Sequence, residues 1–319
     1  MIRLSPPGHR RLEQAQALDL HVGGSEFNTA VSASRLGLST AYVTRLTRNP
    51  LGRMIENRAR EQGIDTSGIV WTDDARIGTY YVEFGSSPRA NAVLYDRANS
   101  AFSRIKPEEV DWRKVLHGAR LFHTSGITPA LSETAADTTL AAVRAAKDEG
   151  ALVSIDLNYR ARLWSQEKAR DTMTTIVQSS DVLITTEEDT QRVFGITATS
   201  FEEVAQRLAE AFDLEVVAIT LRENPSVWRN TWTAIAYERA SNTIHRAPMF
   251  DIEVVDRVGS GDAFSGGFLY GMLKEGPGTG VRYGVGMSAI KQTHPGDLCW
   301  ATLDEVDRVL ASGGLRIVR

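Results

Sequence analysis

The chain has 319 residues, of which 42% are hydrophobic and 24% are charged, and its formal net charge is −4. This composition is typical of a globular α/β protein with one large domain or two smaller ones. No basic surplus indicates a nucleic-acid partner, and no apolar run approaches the roughly 20 residues that span a bilayer. We therefore expect small-molecule partners, without nucleic acid or membrane.

Cys299 is the only cysteine, so an intrachain disulfide and a cysteine metal cluster are excluded. The six histidines are scattered without the spacing of metal ligands. The chain shows no charged and then apolar leader. We expect a cytoplasmic location.

Helix and strand patterns alternate along most of the chain. The predicted strands are 40–46, 120–124, 152–158, 181–185, 215–221 and 232–239. The predicted helices are 51–62, 108–116, 132–147, 166–179, 201–212, 262–274, 282–291 and 303–310. This alternation predicts a mostly parallel sheet with helices on both faces, and a ligand site at the carboxyl ends of the strands.

The alternation is interrupted at about residues 76–100. Two short aromatic, β-prone runs, 78–84 and 92–97, flank a Gly-Ser-Ser-Pro sequence and predict an inserted β-strand lid. In extended strands Tyr81 lies on one face, while Tyr95 and Arg97 share another. These side chains are compatible with a polar ligand site, with a homo-oligomer surface, or with a solvated face whose aromatic rings pack across strands.

Two glycine loops each lead into a predicted helix, at 22–28 and at 258–264. Glycine lets the backbone approach a ligand, and the free N–H groups of a helix start favour an anion such as phosphate. Asp262 would stand beside such an anion, where it could accept a proton from an attacking hydroxyl group. Taken alone, each loop is equally compatible with a capped turn.

These loops carry a family resemblance. Residues 256–264, Asp-Arg-Val-Gly-Ser-Gly-Asp-Ala-Phe, closely resemble the C-terminal signature of the ribokinase-like (PfkB-type) sugar kinases. Residues 23–30, Gly-Gly-Ser-Glu-Phe-Asn-Thr-Ala, match the N-terminal signature. Two signatures in the family's order are far more specific than one. The resemblance covers essentially the whole chain, and it implies one ribokinase-like domain over 1–319 with a doubly wound, mostly parallel sheet and a small β-strand lid.

Within the family the chain is most similar to the kinases of 2-keto-3-deoxygluconate, which the resemblance implies as the substrate, with ATP and Mg²⁺. It implies that Asp262 is the catalytic base and that the backbone of Gly259, Ser260 and Gly261 forms the anion hole. The implied substrate contacts are Gly24, Ser25, Asn28, Tyr81, Tyr95, Arg97, Arg160 and Asp297. The implied nucleotide contacts are Asn158, Thr220, Leu221, Arg222, Gly259 and Gly261. Glu187 and Asp189 are the implied metal residues, directly or through water.

Physical chemistry supports an acidic substrate, because the guanidinium groups of Arg97 and Arg160 are suited to a carboxylate. Two alternatives stay open. One is another acid or keto-sugar kinase of the family, such as a 5-dehydro-2-deoxygluconate kinase. The other is a non-catalytic sugar-acid binding protein, although such a protein has no use for a base at Asp262.

Three departures from the family pattern carry expectations of their own. The family begins with a central strand that ends just before the position of Met1, so we expect that strand to lie outside this sequence. The Asn-x-x-Glu motif reads Thr-Glu-Glu-Asp at 186–189, and the glycine-rich turn expected after Leu221 reads Arg-Glu-Asn. The glycine-rich run 276–280 lacks the Lys-Ser/Thr of a P-loop, so we expect it to connect two helices.

Overall fold

A computed structural model describes residues 1–312, except for the side chains of residues 224, 225 and 312. The strands are β1 (Ile2–Ser5), β2 (Asp19–Val22), β3 (Thr44–Thr47), β4 (Ile69–Thr72), β5 (Thr79–Glu83), β6 (Ala92–Asp96), β7 (Leu121–Ser125), β8 (Leu152–Asp156), β9 (Val182–Thr185), β10 (Val216–Ser226), β11 (Arg229–Glu238), β12 (Thr243–Arg246) and β13 (Phe250–Glu253). The α-helices are α1 (Ser25–Arg35), α2 (Pro50–Glu61), α3 (Trp112–Leu116), α4 (Ile127–Ala130), α5 (Glu133–Asp148), α6 (Gln166–Val177), α7 (Glu187–Phe194), α8 (Phe201–Phe212), α9 (Ser260–Glu275), α10 (Pro277–Lys291) and α11 (Leu303–Ser312).

The central sheet has the strand order β12-β11-β10-β9-β8-β7, and β13 pairs with β11. Strands β7 to β10 run parallel to one another, whereas β11 is antiparallel to β10, β12 and β13. The four residues of β9 are all buried, as expected for a parallel strand covered on both faces. The predicted mostly parallel sheet is confirmed.

Two hydrophobic cores cover the two faces of this sheet. On one face Ile155 and Val217 pack with Met173 of α6 and Leu208 of α8. On the other face, Val182, Ile184, Val216 and Ala218 pack with Phe264, Phe268, Val281 and Val285 of α9 and α10. Helices on both faces make the sheet doubly wound, so the carboxyl ends of β8, β9 and β10 open together at one edge.

A second sheet, with the order β2-β1-β5-β6, forms the lid. Strands β5 and β6 are the predicted hairpin near residues 76–100, and they make up half of the sheet. The N-terminal strands β1 and β2 complete it, with β1 parallel to β5 and antiparallel to β2. The lid is therefore built from two separate parts of the chain.

The first strand, β1, lies in the lid sheet and not in the central sheet. Among the described strands, β7 ends the central sheet, and a cavity of about 650 Å³ lies along it, lined on the other side by residues 38–43. The expected additional central strand stays a prediction. The open edge of β7 is the position where it would pair.

The expected helix connection at residues 276–280 is confirmed only at Gly276, because α9 ends at Glu275 and α10 begins at Pro277 and includes Gly278 and Gly280. Proline is well suited to the first helical turn, where its missing N–H group has no partner to lose. The glycines allow close helix packing: a Cβ atom on Gly271 would come within 2.7 Å of the backbone N of Gly280. Among residues 1–312, no helix is long and apolar enough to cross a membrane.

Candidate active site

Asp262 lies in the first turn of α9, and side chains of α1 hold its carboxylate. The Ser25 hydroxyl donates a 2.7 Å hydrogen bond to Oδ1, and the Asn28 amide donates one of 2.7 Å to Oδ2. Both donors are buried. Through Ser25 and Asn28, the glycine loop at residues 22–28 thus fixes the orientation of the carboxylate in the loop at residues 258–264.

Two acidic groups share this region, and burial raises the pKa of each. Burial raises the pKa of Asp262, while the hydrogen bonds from Asn28 and Ser25 lower it. Burial and the nearby charge of Asp262 raise the pKa of Asp156 to about 8. Near neutral pH Asp156 is therefore mostly protonated, whereas the hydrogen bonds from Asn28 and Ser25 favour the ionised form of Asp262, the form that accepts a proton.

The loop before α9 has the features of an anion hole. Gly259 has φ of 83°, and a Cβ atom there would overlap the carbonyl oxygen of Asp297. A Cβ atom on Gly261 would meet no heavy atom within 4 Å, so the space in front of its backbone is open. In the first turn of α9 the N–H group of Ser260 donates to the carbonyl oxygen of Arg257 at 3.2 Å. The N–H groups of Gly261 and Asp262 therefore remain for a phosphate group at this open space.

A cavity of about 460 Å³ lies in front of Asp262. Its volume is in the range of small-molecule sites. Most of the residues implied by the resemblance line it: Gly24, Ser25, Asn28, Tyr95, Arg97, Asn158, Arg160, Asp189, Thr220, Arg222, Gly259, Ser260, Gly261, Asp262 and Asp297. Three do not line it: Tyr81, Leu221 and Glu187.

Tyr80 is the tyrosine of β5 that lines the cavity on the side of the lid. It pairs directly with Tyr95 across β5 and β6, and the two rings stack with centroids 5.8 Å apart. Tyr81 is the next residue along β5, so its side chain lies on the opposite face of the lid. Tyr80, and not the predicted Tyr81, therefore lines the cavity.

Arg97 and Arg160 both line the cavity. The Arg97 side chain is buried, with its guanidinium carbon 4.1 Å from the centre of the Tyr95 ring. Burial lowers the pKa of Arg97, and the charge of Arg160 lowers it further. Two cationic side chains thus line one cavity, which suits a carboxylate ligand.

Several buried polar atoms of the cavity accept or donate no hydrogen bond within the described part of the chain. They are Oδ1 of Asn28, Oδ1 of Asn158 and Nε of Arg97. Such groups are costly to bury without partners. Two acceptors and one cationic donor suit a molecule with hydroxyl groups and a carboxylate.

Asp297 belongs to a buried ionic cluster beneath the site. Its Oδ2 lies 3.0 Å from Nη1 of Arg3, and the same nitrogen lies 2.8 Å from Asp256 Oδ2. Tyr80 donates its hydroxyl hydrogen to Asp297 Oδ1. Because Asp256 begins the loop that leads to Gly259, this cluster connects the lid to the anion hole.

On the other side of the cavity, β10 continues past Leu221, and no turn occurs at Arg222-Glu223-Asn224. Arg222 pairs with Trp232 and Glu223 with Thr231. No glycine stands there to end the strand, so the hairpin extends to Ser226. Alternation along the strand turns Thr220 and Arg222 to the cavity and Leu221 to the hydrophobic core.

Asp189 is the one predicted metal residue that lines the cavity, and Glu187 lies outside it. In the part of the chain that the structure describes, no group of three or more His, Cys, Asp or Glu side chains could hold a metal ion. Magnesium bound with nucleotide phosphates needs only one or two protein carboxylates, and Asp189 is one carboxylate at this cavity.

Four residues of the site have no role predicted from the sequence. Strand alternation would have identified Tyr80. Asp156 stands at the carboxyl end of its predicted strand and Arg257 in the C-terminal signature, but neither carried a predicted role. Glu26 accepts hydrogen bonds of 2.8 Å from Ser125 and 2.7 Å from Thr128, and it thereby joins α1 to the end of β7.

A family model for pfkB family carbohydrate kinases matches residues 1–300. The chain belongs to this family. A pfkB kinase from Haloferax volcanii, 2-dehydro-3-deoxygalactonokinase, is 40% identical over 100% of this chain and 96% of its own. The 5-dehydro-2-deoxygluconokinase of Bacillus licheniformis is 28% identical over 95% of this chain and 91% of its own.

Among solved structures of pfkB kinases, the 2-dehydro-3-deoxygluconokinase of Thermotoga maritima has a TM-score of 0.94 to this chain. It is 37% identical, and the match covers 98% of this chain and 96% of that one. The ribokinase-like fold is thereby confirmed, and so is a carbohydrate kinase as the class of enzyme.

Proposed function

We propose that this pfkB kinase transfers the γ-phosphoryl group of ATP to the terminal hydroxyl group of a 2-keto-3-deoxy sugar acid. One observation carries the proposal. The carboxylate of Asp262, held by Ser25 and Asn28, lines one cavity together with an anion hole and a pair of arginines. This combination serves a reaction between a phosphate and an acidic alcohol.

The chemistry is a direct phosphoryl transfer. The terminal hydroxyl oxygen attacks the γ-phosphorus while its proton passes to Asp262. The bond from the γ-phosphorus to the bridging oxygen breaks, and its electron pair stays on the β-phosphate of ADP. The N–H groups at the start of α9 stabilise the charge on the transferring group.

We infer that Arg97 and Arg160 bind the substrate carboxylate. Burial of Arg97 strengthens its interaction with an anion because water does not compete. The free acceptors Asn28 Oδ1 and Asn158 Oδ1 then receive hydrogen bonds from substrate hydroxyl groups. A neutral sugar would offer no anionic group to either guanidinium group.

We propose 2-keto-3-deoxygluconate as the first substrate to test. The similarity to the Thermotoga maritima enzyme supports it. Its epimer 2-keto-3-deoxygalactonate is the second candidate, and the 40% identity to the Haloferax volcanii enzyme favours it. The 5-dehydro-2-deoxygluconate alternative has support at 28% identity.

ATP with Mg²⁺ is the proposed phosphoryl donor. The anion hole fits the terminal phosphate, and Asp189 would hold the ion, which supplies charge neutralisation when it is bound. Use of ATP agrees with the proposed cytoplasmic location.

The test is an assay that couples ADP release to a colour change, with Mg-ATP and each of the three sugar acids. The expected result is activity with a 2-keto-3-deoxy acid that falls about 10²–10⁴-fold in Asp262→Asn, because the base is lost. Folding of the variant is checked by circular dichroism, and Asp304→Asn on α11 is the matched control. Absence of ADP with all three acids from folded wild-type protein would reject the proposal.

We also propose a homodimer formed through the outer face of the lid. Leu20, Leu4, Tyr81 and Leu94 are paired directly across its four strands and thus form one apolar row. Leu20 is 48% exposed and Leu94 is 60% exposed. A second copy of the row would cover it in a symmetric contact.

A further inference from the structure

The nucleotide side of the cavity contains a second pair of arginines, Arg222 and Arg257. Arg222 is exposed on β10 and faces the cavity because the strand continues where a turn was expected. Arg257 is half-buried and lies two residues before Gly259. Both residues line the same cavity as Asp262.

Arg222 and Arg257 are linked through the β10–β11 hairpin and line the same cavity. Burial lowers the pKa of Arg257, and the charge of Arg222 lowers it further. Arg257 donates a 2.8 Å hydrogen bond to the carbonyl oxygen of Val227 at the tip of the β10–β11 hairpin. The hairpin that presents Arg222 therefore also positions Arg257.

This pair is distinct from Arg97 and Arg160. Arg160 follows β8, whereas Arg222 lies on β10, and β9 separates these strands, so their ends are about 10 Å apart. Asp189 lines the same cavity as both pairs. One cavity thus contains two cationic pairs together with an acidic residue.

We propose that Arg222 and Arg257 bind the β- and γ-phosphates of the nucleotide and stabilise the charge that develops during transfer. This inference rests on the proposed kinase function. As the bond to the bridging oxygen breaks, negative charge builds on the β-phosphate, and two guanidinium groups match it with directed N–H donors. A bound polyanion also offsets the mutual repulsion of the two arginines.

The position of Arg257 specifies the phosphate end of the nucleotide. It precedes the anion hole by two residues, so a group bound at the first N–H groups of α9 lies beside it. Arg97, in contrast, follows the lid strand β6 and contacts the ring of Tyr95. Arg97 and Arg160 would therefore bind the carboxylate of the sugar acid, while Arg222 and Arg257 would bind the polyphosphate of the nucleotide.

The test measures binding of ATP and of inorganic tripolyphosphate by calorimetry, and steady-state kinetics, for wild type, Arg222→Ala, Arg257→Ala and Arg257→Lys. Arg239→Ala is the control, because Arg239 lies at the far end of the hairpin and pairs with Asp213. We expect each alanine variant to bind tripolyphosphate at least 10-fold more weakly and to lose about 10²–10³-fold in kcat/KM for ATP. KM for the sugar acid should not change.

Added guanidinium ion should restore part of the activity of Arg222→Ala, an effect that a purely structural role would not produce. Arg257→Lys should retain more activity than Arg257→Ala. Equal tripolyphosphate binding by wild type and both alanine variants would overturn the inference, as would absence of tripolyphosphate binding by the wild type. Weaker binding in the variants, without ADP release from any sugar acid, would support the phosphate site and reject only the kinase proposal.

Discussion

The hydroxyl group of Ser25 donates a 2.7 Å hydrogen bond to the carboxylate of Asp262, across 237 positions of the sequence. The bond joins the start of α1 to the start of α9. It orients the proposed base and lowers its pKa against the effect of burial. Two glycine loops that are separate in the sequence therefore make one catalytic unit.

Removal of this hydroxyl group should change the pH dependence of the reaction. In Ser25→Ala the pKa of Asp262 rises, and only the ionised carboxylate accepts a proton. The acidic limb of the kcat/KM profile should move to higher pH, so activity falls more at pH 6 than at pH 8. Ser241→Ala, in the turn after β11, is the control. An unchanged acidic limb would contradict this role of Ser25.

Arg160 should determine the preference for acidic substrates. In Arg160→Met we expect KM for the sugar acid to rise about 10–100-fold, the effect of losing a charged hydrogen bond. Arg160→Met should phosphorylate a neutral analogue, in which a CH₂OH group replaces the carboxylate, at least as well as the wild type does. Steady-state kinetics with both compounds test this, with Arg144→Gln on the exposed side of α5 as the control. Equal losses for the two compounds would argue against a carboxylate contact.

The outer face of the lid should control the oligomeric state. Leu94→Asp places a charge in the apolar row, so the proposed dimer should dissociate into monomers. Light scattering after size-exclusion chromatography measures the mass directly. Met249→Asp is the matched control, because Met249 is 69% exposed but lies outside the lid. A wild-type protein that is monomeric would already reject the proposed dimer.

Asp297 should make the stability of the fold depend on pH. Burial raises its pKa from 3.8 to about 6, against the effect of Arg3. A carboxyl group whose pKa is higher in the folded state binds more protons there, so its stabilising contribution is present at low pH. That contribution is lost as the pH rises from about 4 to about 6.

Urea unfolding of wild type and Asp297→Asn at pH 4.5 and 6.5 measures this contribution. The free energy of unfolding of wild type relative to the variant should decrease between the two pH values. A relative stability that stays constant or increases would show that Arg3 keeps the carboxylate ionised throughout. Asp304→Asn, on the exposed start of α11, should show no such change.

The order of the elements and both glycine loops could be predicted from the sequence, because each depends on local pattern. Tyr81 and Leu221 were predicted at the site but do not line the cavity, for one and the same reason. Strand residues alternate between faces, so a displacement of one position exchanges the cavity for the opposite side. The burial of Arg3 could not be predicted, since its partner Asp297 lies 294 residues away.

The side chains of Tyr80 on β5 and Arg222 on β10 face the cavity because successive residues of a strand point to opposite faces. Deletion of one residue within either strand, before Tyr80 or Arg222, would turn that side chain away from the cavity. The side chain of the adjacent residue would then face the cavity. Removal of two residues would preserve the facing. In these two strands, evolutionary changes of length should therefore occur in steps of two, while the loop between β5 and β6 is free to vary by single residues.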